Sequence, residues 1–313
     1  MRNAVFIALL ALLAACARSN APIGELPVGI IGGRAVGSGD LIARSTAFVL
    51  LYDSQTHDAA MCSAVLISKD LLLTAAHCFW PASGPRRDRS YTKFVIFGGP
   101  VDIQSAETFK RAIVIPETNY ALHPGYSNQS NKDSIALIRL PTLAPTSATP
   151  VRILPPSLKP ANPVTVAGFG IEADSSSQPP TVYNLNSLVT TLGSNQDPDC
   201  PVCVNLRETP IARPAHGDSG GPAYSNLNGV TYVWGIDSHT INSAYTDEYY
   251  TPIAPYLSWI QQTGKALGSV SAISLQTAST SKLTSSKSQP GKSLSKSNAY
   301  SPASKPQHAR NRA

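Results

Sequence analysis

The chain has 313 residues, 42% of them hydrophobic and 14% charged, enough apolar material for a sizeable core. With 21 glycines and 26 prolines, the composition favours a turn-rich β protein and argues against a helical one. The net charge is +6, but residues 264–313 hold eight Lys and Arg and no acid, so the remainder carries −2 and the basic character belongs to the tail, not to the folded part.

Taken from the start, Arg2 and the apolar run 4–13 read as an export signal, too short to span a bilayer as a helix. The run ends in Leu13-Ala14-Ala15-Cys16. That string is similar to a bacterial lipoprotein cleavage box, with Cys16 as the lipidated residue. The alternative is an ordinary signal peptide with a chance cysteine. Residues 1–29 are therefore expected to be leader and linker, and residues 30–262 the folded part. Within 30–262, short apolar and β-branched runs recur at 48–52, 63–67, 71–74, 94–97, 112–115, 135–140, 164–167 and 230–236, between Gly, Pro, Asn and Asp. This pattern predicts an all-β sandwich or barrel. One helix is expected over 254–262, opened by Pro252 and Pro255. Residues 263–313 are rich in Ser, Lys and Thr and poor in large apolar groups, so they are expected to stay disordered. Such a tail is either a solvated linker or a contact for anionic surfaces.

Cysteines number five. Setting Cys16 aside leaves an even set, suited to disulfides in an oxidising compartment, periplasmic, outer-membrane or secreted. Cys200-Pro201-Val202-Cys203 can be a small staple, a redox motif or half a metal site; no second CxxC or histidine pair lies near it, and its Asn/Asp/Pro surroundings favour the staple. No metal and no cofactor are expected.

Two strings carry chemistry. Gly217-Asp218-Ser219-Gly220-Gly221-Pro222 surrounds a serine with glycines, which lets the backbone turn sharply and aim amides at a developing oxyanion. Serine needs a base to become a nucleophile. An apolar run ending in Thr74-Ala75-Ala76-His77-Cys78 offers one in His77. Either string alone is weak; together they point to a serine hydrolase.

These and further strings, in order, resemble the trypsin/chymotrypsin family of serine proteases: Ile30-Ile31-Gly32-Gly33, Cys62 with Cys78, His123-Pro124-Gly125-Tyr126, Ile135-Ala136-Leu137, Gly168-Phe169-Gly170, and Tyr256 with Trp259 and Ile260. The resemblance covers about residues 30–262. It implies two six-stranded antiparallel β-barrels, about 30–145 and 146–262, with the active site between them and a short C-terminal helix. By it, Ser219 is the nucleophile and His77 the base, the amides of Gly217 and Ser219 form the oxyanion hole, Cys62 pairs with Cys78, and Ile30 pairs with Asp218 after a cut following Gly29. The family's acid stands directly before the Ile-Ala-Leu run. Ser134 holds that place, and Asp133 is expected to serve if a bulge or looser strand entry turns it inward. Arg213, Asp237 and Glu248 fall in the specificity pocket. Arg213 bridging one acid leaves a weak preference for a basic residue before the cut; left free, it selects an acidic one. Ser63 and Ala64 replace two family glycines and are expected to narrow the leaving-group side. The implied partner is a protein or peptide substrate of a monomeric enzyme, with membrane anchoring through Cys16. The competing reading is a protease-fold binding protein without turnover.

Overall fold

The computed structural model describes residues 30–81, 86–87, 91–171, 180–240 and 247–273. Cys16, the leader and the tail beyond 273 lie outside the described residues.

Seventeen strands are present among the described residues, in chain order β1 (Arg34–Ala35), β2 (Thr46–Tyr52), β3 (Ala59–Leu66), β4 (Leu71–Thr74), β5 (Thr92–Phe97), β6 (Val101–Asp102), β7 (Ile113–Ile115), β8 (Tyr120–Leu122), β9 (Ala136–Arg139), β10 (Arg152–Ile153), β11 (Val164–Gly168), β12 (Val182–Tyr183), β13 (Asn186–Leu192), β14 (Val204–Arg207), β15 (Pro222–Leu227), β16 (Val230–Thr240) and β17 (Asp247–Pro252). Helices are α1 (Leu41–Ser45), α2 (Ala106–Lys110) and α3 (Leu257–Ala266).

The first sheet runs β7-β5-β2-β3-β4-β9-β8. Its two edges, β7 and β8, are halves of one bent segment, broken at Pro116, which has no N–H to donate to a ladder. Among the described residues no ladder joins those edges, so this sheet is a half-barrel, where a closed six-stranded barrel was expected. The second sheet contains β13-β11-β15-β16-β17-β14, and β14 pairs back to β13 through Thr191↔Arg207 and Leu192↔Leu206, which closes a six-stranded barrel. Ladder pairing removes both edges of that sheet.

Each half holds one end of the other. β1 pairs with β13 of the second sheet, while α3 lies on the first, where Gly264 meets Leu71. The helix expected over 254–262 runs on to Ala266. Beyond it the Asp70 carboxylate accepts hydrogen bonds from Ser269 Oγ (2.8 Å) and the Val270 amide (2.9 Å). The ordered chain therefore extends past the boundary that composition suggested, because a buried acid needs those donors.

β2 is buried on both faces except at Tyr52. One face fills the first barrel and the other meets the second. Phe48 packs edge-on to Phe169 at 5.7 Å and against Tyr183 at 5.1 Å between ring centres, and Tyr224 places its hydroxyl 2.8 Å from Ser45 Oγ and 2.9 Å from Thr46 Oγ1. Truncating Phe48 removes the aromatic plug between the halves. Phe48→Ala is expected to lower the unfolding free energy by about 3–5 kcal/mol in denaturant titration; a loss below about 1 kcal/mol would show that the junction does not depend on it.

Candidate active site

β4 ends at Thr74, and buried Ala75 and Ala76 let the chain tuck into a 3-10 turn, Ala76–Cys78, that presents half-buried His77. A disulfide from Cys78 to Cys62 ties this turn to β3, with a Cα–Cα distance of 6.3 Å. Burial first, then His239 and Arg87, pull the His77 imidazole down to about 4, so it is neutral at pH 7 and able to accept a proton.

Ser219 sits in the turn before β15. Gly217 (φ +100°) and Gly220 (φ +80°) occupy backbone conformations that favour glycine. A Cβ on Gly220 would fall 2.1 Å from Thr74 Oγ1 and 2.8 Å from the Ala75 amide. That close approach is what sets the serine turn against the strand end bearing His77. The Ser219 carbonyl accepts the Ser63 amide at 2.8 Å and lies 3.8 Å from Cys78 Sγ. Among the described residues the Ser219 hydroxyl makes no hydrogen bond to His77, and the Gly217 and Ser219 amides donate to no protein acceptor. A resting site often holds its catalytic hydrogen bonds long. Amides without an internal acceptor are what an oxyanion site requires.

Asp218 is buried, and its carboxylate accepts the amides of Gly170 and Ala215, both at 2.8 Å. Glycine at 168 and 170 is needed here, since a Cβ would stand 2.1 and 2.3 Å from the Asp218 oxygens. Ile30 is buried in the second barrel's core beside Trp234 and Tyr250, and its neighbour Ile31 accepts the Arg213 amide at 3.0 Å.

Two sequence expectations need correction. Asp133 does not contact His77. Asn131 (φ 52°) and Asp133 (φ 55°) form a tight left-handed turn that swings the carboxylate outward, where Tyr256 donates to Oδ1 at 2.6 Å and His123 Nδ1 stands 3.9 Å from Oδ2. No inward bulge forms. Ser134 is instead beside the imidazole, its Oγ 3.1 Å from Nδ1. Nor does Ser63 point toward a leaving group. Its hydroxyl is buried, donates to the Gly217 carbonyl at 2.9 Å and accepts the Phe169 amide at 3.0 Å, joining the two barrels beneath the Ser219 turn.

Next to Ser219 opens a cavity of about 180 Å³ lined by Arg213, His216, Asp237, His239 and Glu248. The structure thus gathers all three residues expected in the pocket. Glu208, which no sequence signal marked, joins them electrostatically. Burial is the main cause that raises all three carboxyls. Glu248 adds to it at Glu208 and at Asp237, while hydrogen bonds from Asp237 and Thr240 oppose it at Glu248. His239 forms one wall. Its Nε2 lies 2.6 Å from Asp197, and its ring stacks on Tyr249 at 5.5 Å. Tyr249 in turn packs on the Cys200–Cys203 disulfide, so the CxxC is a staple behind the pocket. A larger cavity of about 510 Å³, lined by Val36, Arg44, Phe97 and Leu185 among others, holds none of these groups. Chemistry rather than size marks the site.

Comparison with known proteins agrees with this arrangement. A family model described as Trypsin matches residues 31–260. The chain is 28% identical over 247 residues to granzyme-like protein 1 of Rattus norvegicus, covering 75% of this chain and 91% of that protein. It is 30% identical over 222 residues to brachyurin of Leptuca pugilator, covering 66% and 89%. Against vitamin K-dependent protein C of Oryctolagus cuniculus it is 26% identical over 256 residues, covering 75% of this chain but only 52% of that protein. Removing the buried Ser63 hydroxyl strands the Phe169 amide and the Gly217 carbonyl. Ser63→Ala is expected to cost about 1–3 kcal/mol in thermal or denaturant unfolding, whereas an unchanged midpoint would mean that water or a backbone shift repairs both.

Proposed function

The chain belongs to the trypsin family, and from that premise we propose that it is a serine endopeptidase, exported to an oxidising compartment, that cleaves protein or peptide substrates through an acyl-enzyme on Ser219. The observation that carries the reading is the packing of the Ser219 turn against the strand end bearing His77, with the Gly217 and Ser219 amides left without a protein acceptor among the described residues. In this reading His77 takes the Ser219 proton as the hydroxyl attacks the scissile carbonyl. The two amides hold the oxyanion, and the imidazolium then protonates the leaving amine. Ile30 would serve as the new terminus for Asp218 after a cut following Gly29, and lipid on Cys16 would anchor the uncut chain.

The pocket supports a conditional preference for a basic residue before the cut. Carboxyls outnumber Arg213, but burial holds them toward the neutral acid. A cationic side chain entering the cavity favours the ionised form, so its binding releases a proton. Preference for Arg or Lys over Gln at that position should therefore rise with pH, by up to about tenfold per unit where one proton is linked. Peptide pairs differing only there, assayed from pH 5 to 9, check this. A ratio that is flat or falls with pH removes the carboxyls from specificity.

A fluorophosphonate probe, which reacts only with an activated serine, tests the enzyme assignment on chain cut and uncut after Gly29. Labelling that disappears in Ser219→Ala is expected. No labelling in either form would leave the protease-fold binding protein, a reading that a hydroxyl in place of a carboxylate at His77 Nδ1 favours.

A further inference from the structure

We infer that the hydroxyl of Ser134 takes the place of the acid in this site, as a positioning residue that accepts the Nδ1–H of His77 and leaves Nε2 free to take the proton of Ser219. The inference rests on the peptidase reading and concerns how its base is held. It begins in the ladder. β4 and β9 pair antiparallel with Thr74 opposite Ala136. Continuing that register brings position 134 across from Ala76, beside the imidazole. Ser134 is fully buried there, with its amide bonded to the Asn131 carbonyl at 3.2 Å and its carbonyl accepting Thr251 Oγ1 at 3.4 Å. Both ends of the residue are thus fixed, and the hydroxyl oxygen has little freedom of place.

Two groups of His77 converge on that oxygen, Nδ1 at 3.1 Å and the backbone amide at 3.4 Å. An amide can only donate, so the oxygen's lone pairs face His77. A hydroxyl has two such pairs and can accept both donors. Accepting from Nδ1 selects the tautomer with Nε2 unprotonated, which is the form a base toward Ser219 needs. The neighbouring carboxylate is committed elsewhere. Asp133 Oδ1 takes the Tyr256 hydroxyl and Oδ2 faces His123, in a space that only glycine at 125 leaves open, since a Cβ there would stand 2.4 Å from that oxygen.

A hydroxyl orients the ring as a carboxylate does but carries no charge to stabilise the imidazolium. Among the described residues, the charged and titratable groups around the ring do not replace it. His239 on β16 and Arg87 after the histidine turn both disfavour the charged form of His77, Asp218 is bound by backbone amides, and Asp237 and Glu248 lie with Arg213 in the neighbouring pocket. With burial, this arrangement keeps the imidazole unprotonated down to about pH 4. The outcome is a weaker base that stays available in acid: a low plateau of reactivity whose acidic limb lies well below that of a carboxylate-backed histidine.

The test measures the second-order rate of fluorophosphonate labelling from pH 3.5 to 9 for the full chain cut after Gly29, together with the His77 tautomer by ¹⁵N NMR. Ser134→Ala is expected to lower the plateau about tenfold, the worth of one neutral hydrogen bond, and to lose the Nδ1–H tautomer. Ser134→Thr, which keeps the hydroxyl, should restore most of both. Ser134→Asp should raise the plateau and move the acidic limb up by more than one pH unit. Should that variant not fold, the Ala and Thr pair decides the matter. Equal rates and equal tautomer in wild type and Ser134→Ala overturn the inference, as does a loss of orders of magnitude in Asp133→Asn with none in Ser134→Ala. A wild type that labels at no pH sinks the peptidase reading instead, and the tautomer measurement still decides whether Ser134 holds the ring.

Discussion

One buried serine joins the halves of this molecule at the point where its chemistry would occur. Ser63 on β3 donates its hydroxyl to the Gly217 carbonyl, accepts the Phe169 amide, gives its own amide to the Ser219 carbonyl, and receives the Thr74 hydroxyl on its carbonyl at 2.7 Å. Four bonds at one residue bind the serine turn and the second barrel's glycine-flanked corner to the strand that leads to His77. Gly217, Phe169 and Thr74 are buried, so these three partners cannot turn to water if a bond is lost. The glycine at 220 follows from this junction, because a side chain there would collide with the same strands.

The site departs from charge-based design in the same direction twice. Beside the imidazole a hydroxyl stands where a carboxylate would give both orientation and charge, and in and behind the pocket three buried carboxyls are held toward their neutral forms. Desolvation is the main cause in both places, at His77 by disfavouring the cation and at the acids by disfavouring the anions. The result is a region built largely of neutral hydrogen-bonding groups, with Arg213 as the charge its surroundings must balance. Such a site responds to pH through the protonation of its own walls as well as through its base.

The Cys200–Cys203 staple belongs to the same design. It packs on Tyr249, which stacks on His239, which is held by buried Asp197. A short covalent loop thereby stiffens one wall of the cavity from behind, in a stretch with few apolar neighbours to do so.

Much of this was legible in the sequence. The short apolar, β-branched runs between turn residues marked the β architecture, since strand preference and the need for turns are local properties. The glycine-flanked Ser219 and the small residues before His77 marked the two segments that the fold packs together, because tight backbone approach restricts residue type. Tertiary structure alone decided the rest. Whether Asp133 or Ser134 faces the imidazole turned on two left-handed residues in one tight turn, and a one-residue shift there exchanges inside for outside. Ser63 looked like an obstruction until the second barrel supplied acceptor and donor for its hydroxyl. Glu208 and Asp197 carried no local mark at all, because a carboxyl's role in a buried cluster depends on which distant strands close around it, and no neighbour in sequence records that.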